Sequence, residues 1–209
     1  MKIAVVDYGS GNLRSAAKAF EHEAKGRAEI VVTSDADVVR KADRIVLPGQ
    51  GAFGDCAAGL RAVPGMVDAL NDAVVKRGAP FLGICVGMQL LAATGYEHGV
   101  HDGLGWLGGE VRRMEPNDPA LKLPQLGWNA LEFADHPLLK GWPKAAHVYF
   151  ANSYHFAPAD KAHVIATADY GGAIVAAVAK NNIAGTQFHP EKSQAIGLAL
   201  VSNFLDWRP

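Results

Sequence analysis

The chain has 209 residues, the length of one ordinary domain, and no break in its composition argues for two. Its formal net charge is −1, with scattered lysines and arginines, which favours neither a nucleic-acid partner nor an anionic membrane. Only Cys56 and Cys85 are present, which excludes a disulfide framework, and no cysteine and histidine cluster has structural zinc spacing. The first apolar run, residues 3–6, is too short for a signal-peptide core or a membrane span, so we expect a cytoplasmic protein.

The first half of the chain alternates short apolar runs with helical patterns. Strands are predicted at residues 3–7, 29–32, 44–47 and 81–84. Between and after them, helices are predicted at residues 12–23, 35–41, 66–77 and 86–93, with an alanine-rich segment at 53–61. Strands that are apolar throughout and alternate with helices are typical of a parallel sheet with helices on both faces.

From residue 109 the pattern changes to strands joined by turns. They are predicted at residues 110–114, 128–133, 147–150, 163–169, 173–179 and 183–187, before a closing helix at 194–206. The prolines between residues 115 and 124 indicate a surface loop. We therefore predict one α/β domain over residues 1–209, with a mainly parallel central sheet flanked by helices. The additional antiparallel strands extend that sheet or form a small second one.

The most informative stretch follows the strand at residues 81–84 and reads Gly83-Ile84-Cys85-Val86-Gly87-Met88-Gln89. It predicts a strand that turns sharply into a helix with a thiol at the corner, the cysteine counterpart of a nucleophile elbow. Glycines on either side remove the side chains that would collide at such a corner. A thiol at a helix N-terminus is favoured as thiolate by the unpaired N–H groups there, so Cys85 is the candidate nucleophile.

Two other segments supply groups that a cysteine nucleophile needs. His189, followed by Pro190 and Glu191, lies just after a predicted strand and offers a base with a carboxylate that orients it. The segment at residues 48–51, Pro-Gly-Gln-Gly, follows the strand at 44–47, and one of its amides with that of Val86 would form an oxyanion hole. Cys56 lacks any such setting and is assigned to packing or the surface. The loop at residues 9–12 is too short for a phosphate-binding motif.

With these residues assembled, the chain resembles the class I, triad-type glutamine amidotransferases. Their hallmark is Gly-x-Cys-x-Gly-x-Gln followed much later by Phe-His-Pro-Glu, and both motifs are complete, at residues 83–89 and 188–191. Within the class the chain is similar to glutaminase subunits of imidazole glycerol phosphate synthases, through residues 7–13, 126–129, 149–154 and 192–194. The resemblance runs over essentially the whole length, which leaves no room for a synthase domain, and it implies a flavodoxin-like fold.

The resemblance also implies roles for individual residues. Cys85 matches the nucleophile, His189 the general base and acid, and Glu191 the residue that orients the histidine. The matched oxyanion positions are Val86 with Gly49, Gln50 and Gly51, and the positions that hold glutamine are Gln89, Glu97, Ser153 and Tyr154. The resemblance implies neither a metal nor an organic cofactor.

Members of this family pass ammonia through a channel to a (β/α)₈-barrel cyclase subunit, with which they form a heterodimer. The implied products are imidazole glycerol phosphate and aminoimidazole carboxamide ribotide, in histidine biosynthesis. The positions that face the cyclase match Asn12, Tyr149 and Lys192. Because free hydrolysis would waste ammonia, we expect low activity without the partner, with residues 48–51 held out of place until partner and nucleotide bind.

Two residues depart from the family pattern. Gln50 stands where an apolar residue is frequent, but backbone amides do the oxyanion work, so this change should not abolish it. Asn152 stands where a histidine is common, which leaves open how its segment contacts glutamine or the partner.

Other readings remain open from the sequence alone. The nearest is another triad amidotransferase, such as the glutaminase of pyridoxal phosphate or anthranilate synthesis, although residues 7–13 and 192–194 argue against both. A non-enzymatic sensor protein with an oxidisable cysteine would give His189 and Glu191 no task. A cysteine peptidase is a further possibility, but the chain has no evident groove-forming insertion.

Overall fold

A sheet of nine strands runs through the centre of the protein, in the order β2-β1-β3-β4-β13-β12-β11-β8-β9. The computed structural model describes all residues, 1–209. The first five strands in this order are parallel to one another. They are β2 (Glu29–Thr33), β1 (Lys2–Val6), β3 (Arg44–Gly49), β4 (Phe81–Cys85) and β13 (Ile183–Thr186).

The other four strands of this sheet pair antiparallel: β12 (Ala173–Lys180), β11 (Val164–Asp169), β8 (Gln125–Phe133) and β9 (His147–Asn152). A second sheet has the order β10-β7-β5-β6. Its strands are β10 (Tyr154–Ala157), β7 (Glu110–Arg113), β5 (Thr94–Gly95) and β6 (His101–Asp102). The antiparallel strands predicted for the second half therefore occur in both places, extending the large sheet and forming a smaller one.

The helices are α1 (Leu13–Ala24), α2 (Ala36–Lys41), α3 (Phe53–Ala62), α4 (Met66–Leu70), α5 (Val86–Gln89) and α6 (Gln194–Asp206). A π-helical turn, Asn71–Lys76, continues α4, and short 3₁₀ turns occupy Pro137–Leu139, Lys161–His163 and Pro190–Lys192. The mixed α/β architecture is the predicted one. No helix is both long and apolar enough to cross a membrane.

The core explains why the parallel strands lack polar alternation. Every residue of β3, β4 and β13 is buried, because these strands are covered on both faces. Fully burying one large apolar side chain stabilises the fold by about 1.5–3 kcal/mol. The centre of the sheet is therefore a rigid platform for whatever follows the carboxyl ends of its strands.

Those carboxyl ends bring the predicted site segments together. Gly49, the last residue of β3, is in register with Cys85, the last residue of β4. On the other side of β4, β13 runs parallel to it and leads through Gln187 to His189. Ligands in open α/β sheets bind at this edge, beyond the carboxyl ends of the strands.

One predicted helix is much shorter in the structure. The pattern at residues 86–93 predicted two turns, but α5 ends at Gln89. The backbone carbonyls that follow bond a distant segment instead of residues four positions on: Leu90 accepts from Leu104, Leu91 from Leu107 and Ala92 from Gly105. Tertiary pairing thus replaces the helix. Strands β5 and β6, which follow this region, were missed because each has only two residues, and β10 was missed as well.

Candidate active site

Cys85 lies at a strained corner between β4 and α5. Its backbone has φ 55° and ψ −114°, a conformation that side-chain-bearing residues rarely adopt and that costs about 1–3 kcal/mol. A Cβ on Gly83 would collide with the carbonyl oxygen of Gly87, and one on Gly87 would collide with that of Leu47. Both glycines are therefore required by close backbone packing, as the elbow motif predicted.

His189 and Glu191 form a buried pair directly after β13. The His189 Nδ1 and the Glu191 Oε1 are 2.9 Å apart, and the two side chains are 5% and 3% exposed. The histidine backbone is fixed on both sides, because its N–H donates to the Tyr149 carbonyl and its own carbonyl accepts from the Ser193 hydroxyl. Since a carboxylate can only accept, Nδ1 carries the proton in this pair and Nε2 is the nitrogen left for a reacting group.

The electrostatics of His189 favour its protonated form. Burial alone would lower the pKa of the ring, but hydrogen bonds with Cys85 and with Glu191 raise that pKa to about 9. The second oxygen of Glu191, Oε2, is buried without a partner. The negative charge of this carboxylate is therefore stabilised mainly by His189. The imidazolium is therefore the form of His189 that this arrangement favours.

Residues 48–51, the oxyanion segment, pack closely against the strand-to-helix corner at Cys85. A Cβ on Gly49 would lie 2.7 Å from the Gly87 nitrogen and 2.8 Å from the Tyr8 hydroxyl. That hydroxyl donates to the Pro48 carbonyl at 2.8 Å. Val86 begins α5, and the first N–H groups of a helix have no partner within it. The predicted oxyanion donors are thus beside the nucleophile.

One of those donors is engaged elsewhere in this structure. The Gln50 N–H donates to the Ser10 hydroxyl oxygen at 3.0 Å, and that hydroxyl donates to the Gln50 carbonyl at 2.6 Å. The Cys56 sulfur lies 3.2 Å from the same hydroxyl oxygen. Cys56 is buried in α3, in agreement with the packing assignment, and burial raises the pKa of its thiol. The loop at residues 9–12 therefore holds the oxyanion segment.

A cavity of about 230 Å³ opens beside Cys85. It is lined by all four residues predicted to hold glutamine, Gln89, Glu97, Ser153 and Tyr154, and by Cys85, Val86, Gln50, Gly51 and His189. Glu97 accepts the Phe53 N–H through Oε2 at 2.7 Å, which leaves Oε1 for a ligand. A carboxylate in this cavity suits the ammonium group of an amino acid.

Gln89 uses its nitrogen inside the protein. Its Nε2 donates to the Tyr154 carbonyl at 3.1 Å and to Oε1 of Gln187 at 2.9 Å, so only its own carbonyl oxygen is free. Asn152, one of the two departures from the family pattern, is buried and donates to the same Tyr154 carbonyl at 3.0 Å. The segment that carries Ser153 and Tyr154 is therefore held by two side-chain amides.

The predicted partner-facing residues are only partly brought together. The Lys192 ammonium lies 5.8 Å from the centre of the Tyr149 ring, a cation–π distance. Trp128 stands beside the same ring at 6.1 Å and is 47% exposed, and Leu126 is 66% exposed. Asn12 precedes α1 without a side-chain capping bond, and no hydrogen bond joins it to Tyr149 or Lys192.

No group of three or more histidine, cysteine, aspartate or glutamate side chains could hold a metal ion.

The family model for glutamine amidotransferase class-I matches residues 4–206. The chain belongs to the class I glutamine amidotransferases. Relatives that align over the full length of the chain point to one kind of subunit within this class. The imidazole glycerol phosphate synthase subunit HisH of Rhodospirillum rubrum is 58% identical, and that of Mesorhizobium japonicum 57%, each alignment covering 100% of both chains. Both resemblances found in the sequence, to the class and to these subunits, are confirmed.

Solved structures of glutaminases share the fold. The crystal structure of a glutamine amidotransferase aligns with a TM-score of 0.71 at 20% identity, covering 97% of this chain and 97% of that chain. The glutaminase domain of Trypanosoma brucei CTPS, solved with acivicin, aligns with a TM-score of 0.63 at 16% identity, covering 100% and 95%. The class I fold that the motifs implied is therefore the observed one. The family model and the full-length relatives make the chain a glutamine amidotransferase subunit, in line with glutamine amidohydrolase activity.

Proposed function

We propose that this class I amidotransferase is the glutaminase subunit of an imidazole glycerol phosphate synthase, with Cys85, His189 and Glu191 as its catalytic triad. The observation that carries the proposal is the meeting of three separate segments at one sheet edge. There a strained cysteine, a protonated histidine and the segment at residues 48–51 border a cavity that fits an amino acid, and the buried Glu191 carboxylate pairs with the histidine. The HisH name of the full-length relatives supports the assignment to this synthase.

The first half of the reaction forms a thioester. The Cys85 thiolate attacks the side-chain amide carbon of glutamine, and the electron pair of the C=O bond moves to oxygen. The Val86 N–H and an amide of residues 48–51 hold that oxyanion, and one such donor is typically worth about 10²–10³ in rate. When the intermediate collapses, the C–N bond breaks and the imidazolium of His189 protonates the departing NH2 nitrogen, which leaves as ammonia.

The second half uses the same histidine as a base. In the thioester the Cys85 sulfur carries no negative charge, so one of the two contacts that raise the pKa of His189 is lost. The neutral ring then takes a proton from water, whose oxygen attacks the thioester carbon. The C–S bond breaks, its electron pair returns to sulfur as thiolate, and glutamate leaves. No step in this sequence calls for a metal or an organic cofactor.

The ammonia is proposed to pass to a (β/α)₈-barrel cyclase subunit in a heterodimer. That subunit would use it to form imidazole glycerol phosphate and aminoimidazole carboxamide ribotide in histidine biosynthesis. The docking face would include Tyr149 and Lys192, supported by the exposed Trp128 beside them, with Asn12 as a further contact. The cytoplasmic location expected from the sequence stays a prediction.

The oxyanion segment is proposed to be the switch that couples hydrolysis to partner binding. In the isolated chain the Gln50 N–H is bonded to Ser10, so it cannot also hold an oxyanion. A rotation of the Gly49–Gln50 peptide would release it, and the glycine on one side of that peptide keeps the conformational cost small. Partner and nucleotide would shift the population towards the released state.

The test is to mix the purified chain with candidate barrel cyclases and to measure glutamine hydrolysis with and without their nucleotide substrate. We expect a low rate for the chain alone and strong stimulation by one cyclase in the presence of nucleotide. Stimulation by the synthase of another class I pathway instead would assign the chain to that pathway. An isolated chain that hydrolyses glutamine as fast as the complex would contradict the proposed switch.

A further inference from the structure

Gln187 occupies an unusual place between two residues of the active site. It follows β13, and its side chain is completely buried. Its Oε1 accepts from the Gln89 amide nitrogen at 2.9 Å, and its Nε2 lies 3.6 Å from the Cys85 sulfur in hydrogen-bonding geometry. Neither the motif nor the reaction described above gives this side chain a role.

The Tyr154 carbonyl determines which atoms donate and which accept in this series of hydrogen bonds. A backbone carbonyl can only accept, so the carbonyl of Tyr154 requires the nitrogen of Gln89 to face it. The same nitrogen then donates its second hydrogen to Gln187, which must present its oxygen. The other end of the Gln187 amide is therefore its nitrogen, and an N–H points at the Cys85 sulfur. A flipped amide would set two donors against each other.

We infer that Gln187 is a further catalytic residue, whose side-chain N–H stabilises the Cys85 thiolate, and that Gln89 positions it. The need for such a donor follows from the surroundings of the sulfur. Cys85 is only 4% exposed, so water contributes little to the solvation of its charge. The helix that follows has four residues, too few to build a strong macrodipole. Side-chain donors therefore add to the free N–H groups at the start of α5.

The same bond also assists the second half of the reaction. When the tetrahedral intermediate of thioester hydrolysis collapses, the C–S bond breaks and the electron pair goes to sulfur. A donor already aimed at that atom stabilises the departing thiolate. Gln187 does not titrate, whereas the other groups near the sulfur do: His189, Glu191, Tyr8, Cys56, Glu97 and Lys192. Its contribution therefore persists across the whole pH range of the enzyme.

The test is the pH dependence of Cys85 alkylation by iodoacetamide in the full chain. Mass spectrometry of the Cys85 peptide separates this reaction from that of Cys56. In Gln187→Met, which keeps the size of the side chain but removes the donor, the pH of half-maximal rate should rise by about one unit. The matched control is Gln125→Met, because Gln125 is also buried but its side chain has no hydrogen-bond partner at all. Its profile should equal that of the unaltered chain.

A second variant guards against a packing effect. Gln187→Glu fills the same volume and still accepts from Gln89, yet as a carboxylate it offers the sulfur no donor, so its midpoint should rise at least as far. Circular dichroism selects the variants that fold.

The inference about Gln187 rests on the proposed role of Cys85 as nucleophile. Different results would overturn the two assignments. A reactive Cys85 with an unchanged profile in either folded Gln187 variant overturns the inference alone. A Cys85 that iodoacetamide never modifies overturns the nucleophile assignment with it.

Discussion

At the scale of single residues, the raised pKa of His189 ties the chemistry to pH. The ring keeps its proton up to about pH 9, because its hydrogen bonds with Cys85 and Glu191 outweigh the cost of burial. In the proposed mechanism this proton goes to the departing nitrogen of glutamine. Activity should therefore be lost as pH rises through that value, and the position of the loss should depend on Glu191.

Glu191→Gln removes the negative charge that favours the imidazolium while it keeps the size of the side chain. The pKa of His189 should fall, so the alkaline limb of kcat/KM for glutamine should move to lower pH, by about one unit. The measurement is the pH profile of glutamine hydrolysis in the activated complex. Glu132→Gln, at an exposed position of β8, is the control and should leave the limb near pH 9. An unmoved limb in Glu191→Gln would show that the carboxylate does not set this pKa.

The residue scale is also where the sequence was most informative. Cys85, His189 and Glu191 stand in two short motifs whose spacing is visible in the chain, and the structure brings all three to one place. Gln187 could not be recognised in the same way, although it stands two residues before His189. Its role depends on a bond to Gln89 and on the carbonyl of Tyr154, which are distant in sequence.

At the scale of elements, hydrogen bonds from the loop after β1 fix the position of the oxyanion segment. Ser10 bonds both the N–H and the carbonyl of Gln50, and Tyr8 bonds the carbonyl of Pro48. The sequence linked this loop to the family through residues 7–13, with Asn12 as a partner-facing position, but it indicated no contact between the loop and residues 48–51. The glycine segment was predicted correctly as a neighbour of the nucleophile, but its contacts with a loop 40 residues earlier required the register of β1 against β3.

Ser10→Ala should remove both hydrogen bonds between Ser10 and Gln50. Each hydrogen bond lost contributes about 1 kcal/mol net, so the released peptide becomes roughly fivefold more populated or better. Glutamine hydrolysis by the isolated chain should rise by that factor, with a smaller gain in the activated complex, where the segment is already released. Ser34→Ala, at an exposed site, serves as the control. A rate that stays the same or falls in the isolated Ser10→Ala chain would contradict the switch.

At the scale of the whole molecule, strand order creates the site. β13 inserts beside β4 although about a hundred residues separate them in the chain, and this pairing alone carries His189 to Cys85. The alternation of strands and helices predicted the parallel sheet, and the later strands predicted the antiparallel additions. Neither pattern contains the order of the nine strands, because pairing between distant segments depends on packing that leaves no local periodicity.

The same edge of the molecule presents Tyr149, Lys192 and Trp128 near the cavity. An enzyme that makes ammonia for a partner needs its outlet on the docking face, and the face proposed for docking lies close to the cavity. Cys85 is thus proposed to produce the ammonia that the partner consumes, and a variant that loses only the first of these two activities separates them.

The measurement is product formation by the complex of Cys85→Ala with its cyclase, supplied in turn with glutamine and with ammonium. Cys56→Ala is the control for loss of a buried thiol and should still use glutamine. Cys85→Ala should lose glutamine-dependent synthesis by roughly 10³-fold or more, since no other thiol lines the cavity, while synthesis from ammonium persists. Glutamine-dependent synthesis that survives in Cys85→Ala would contradict the account.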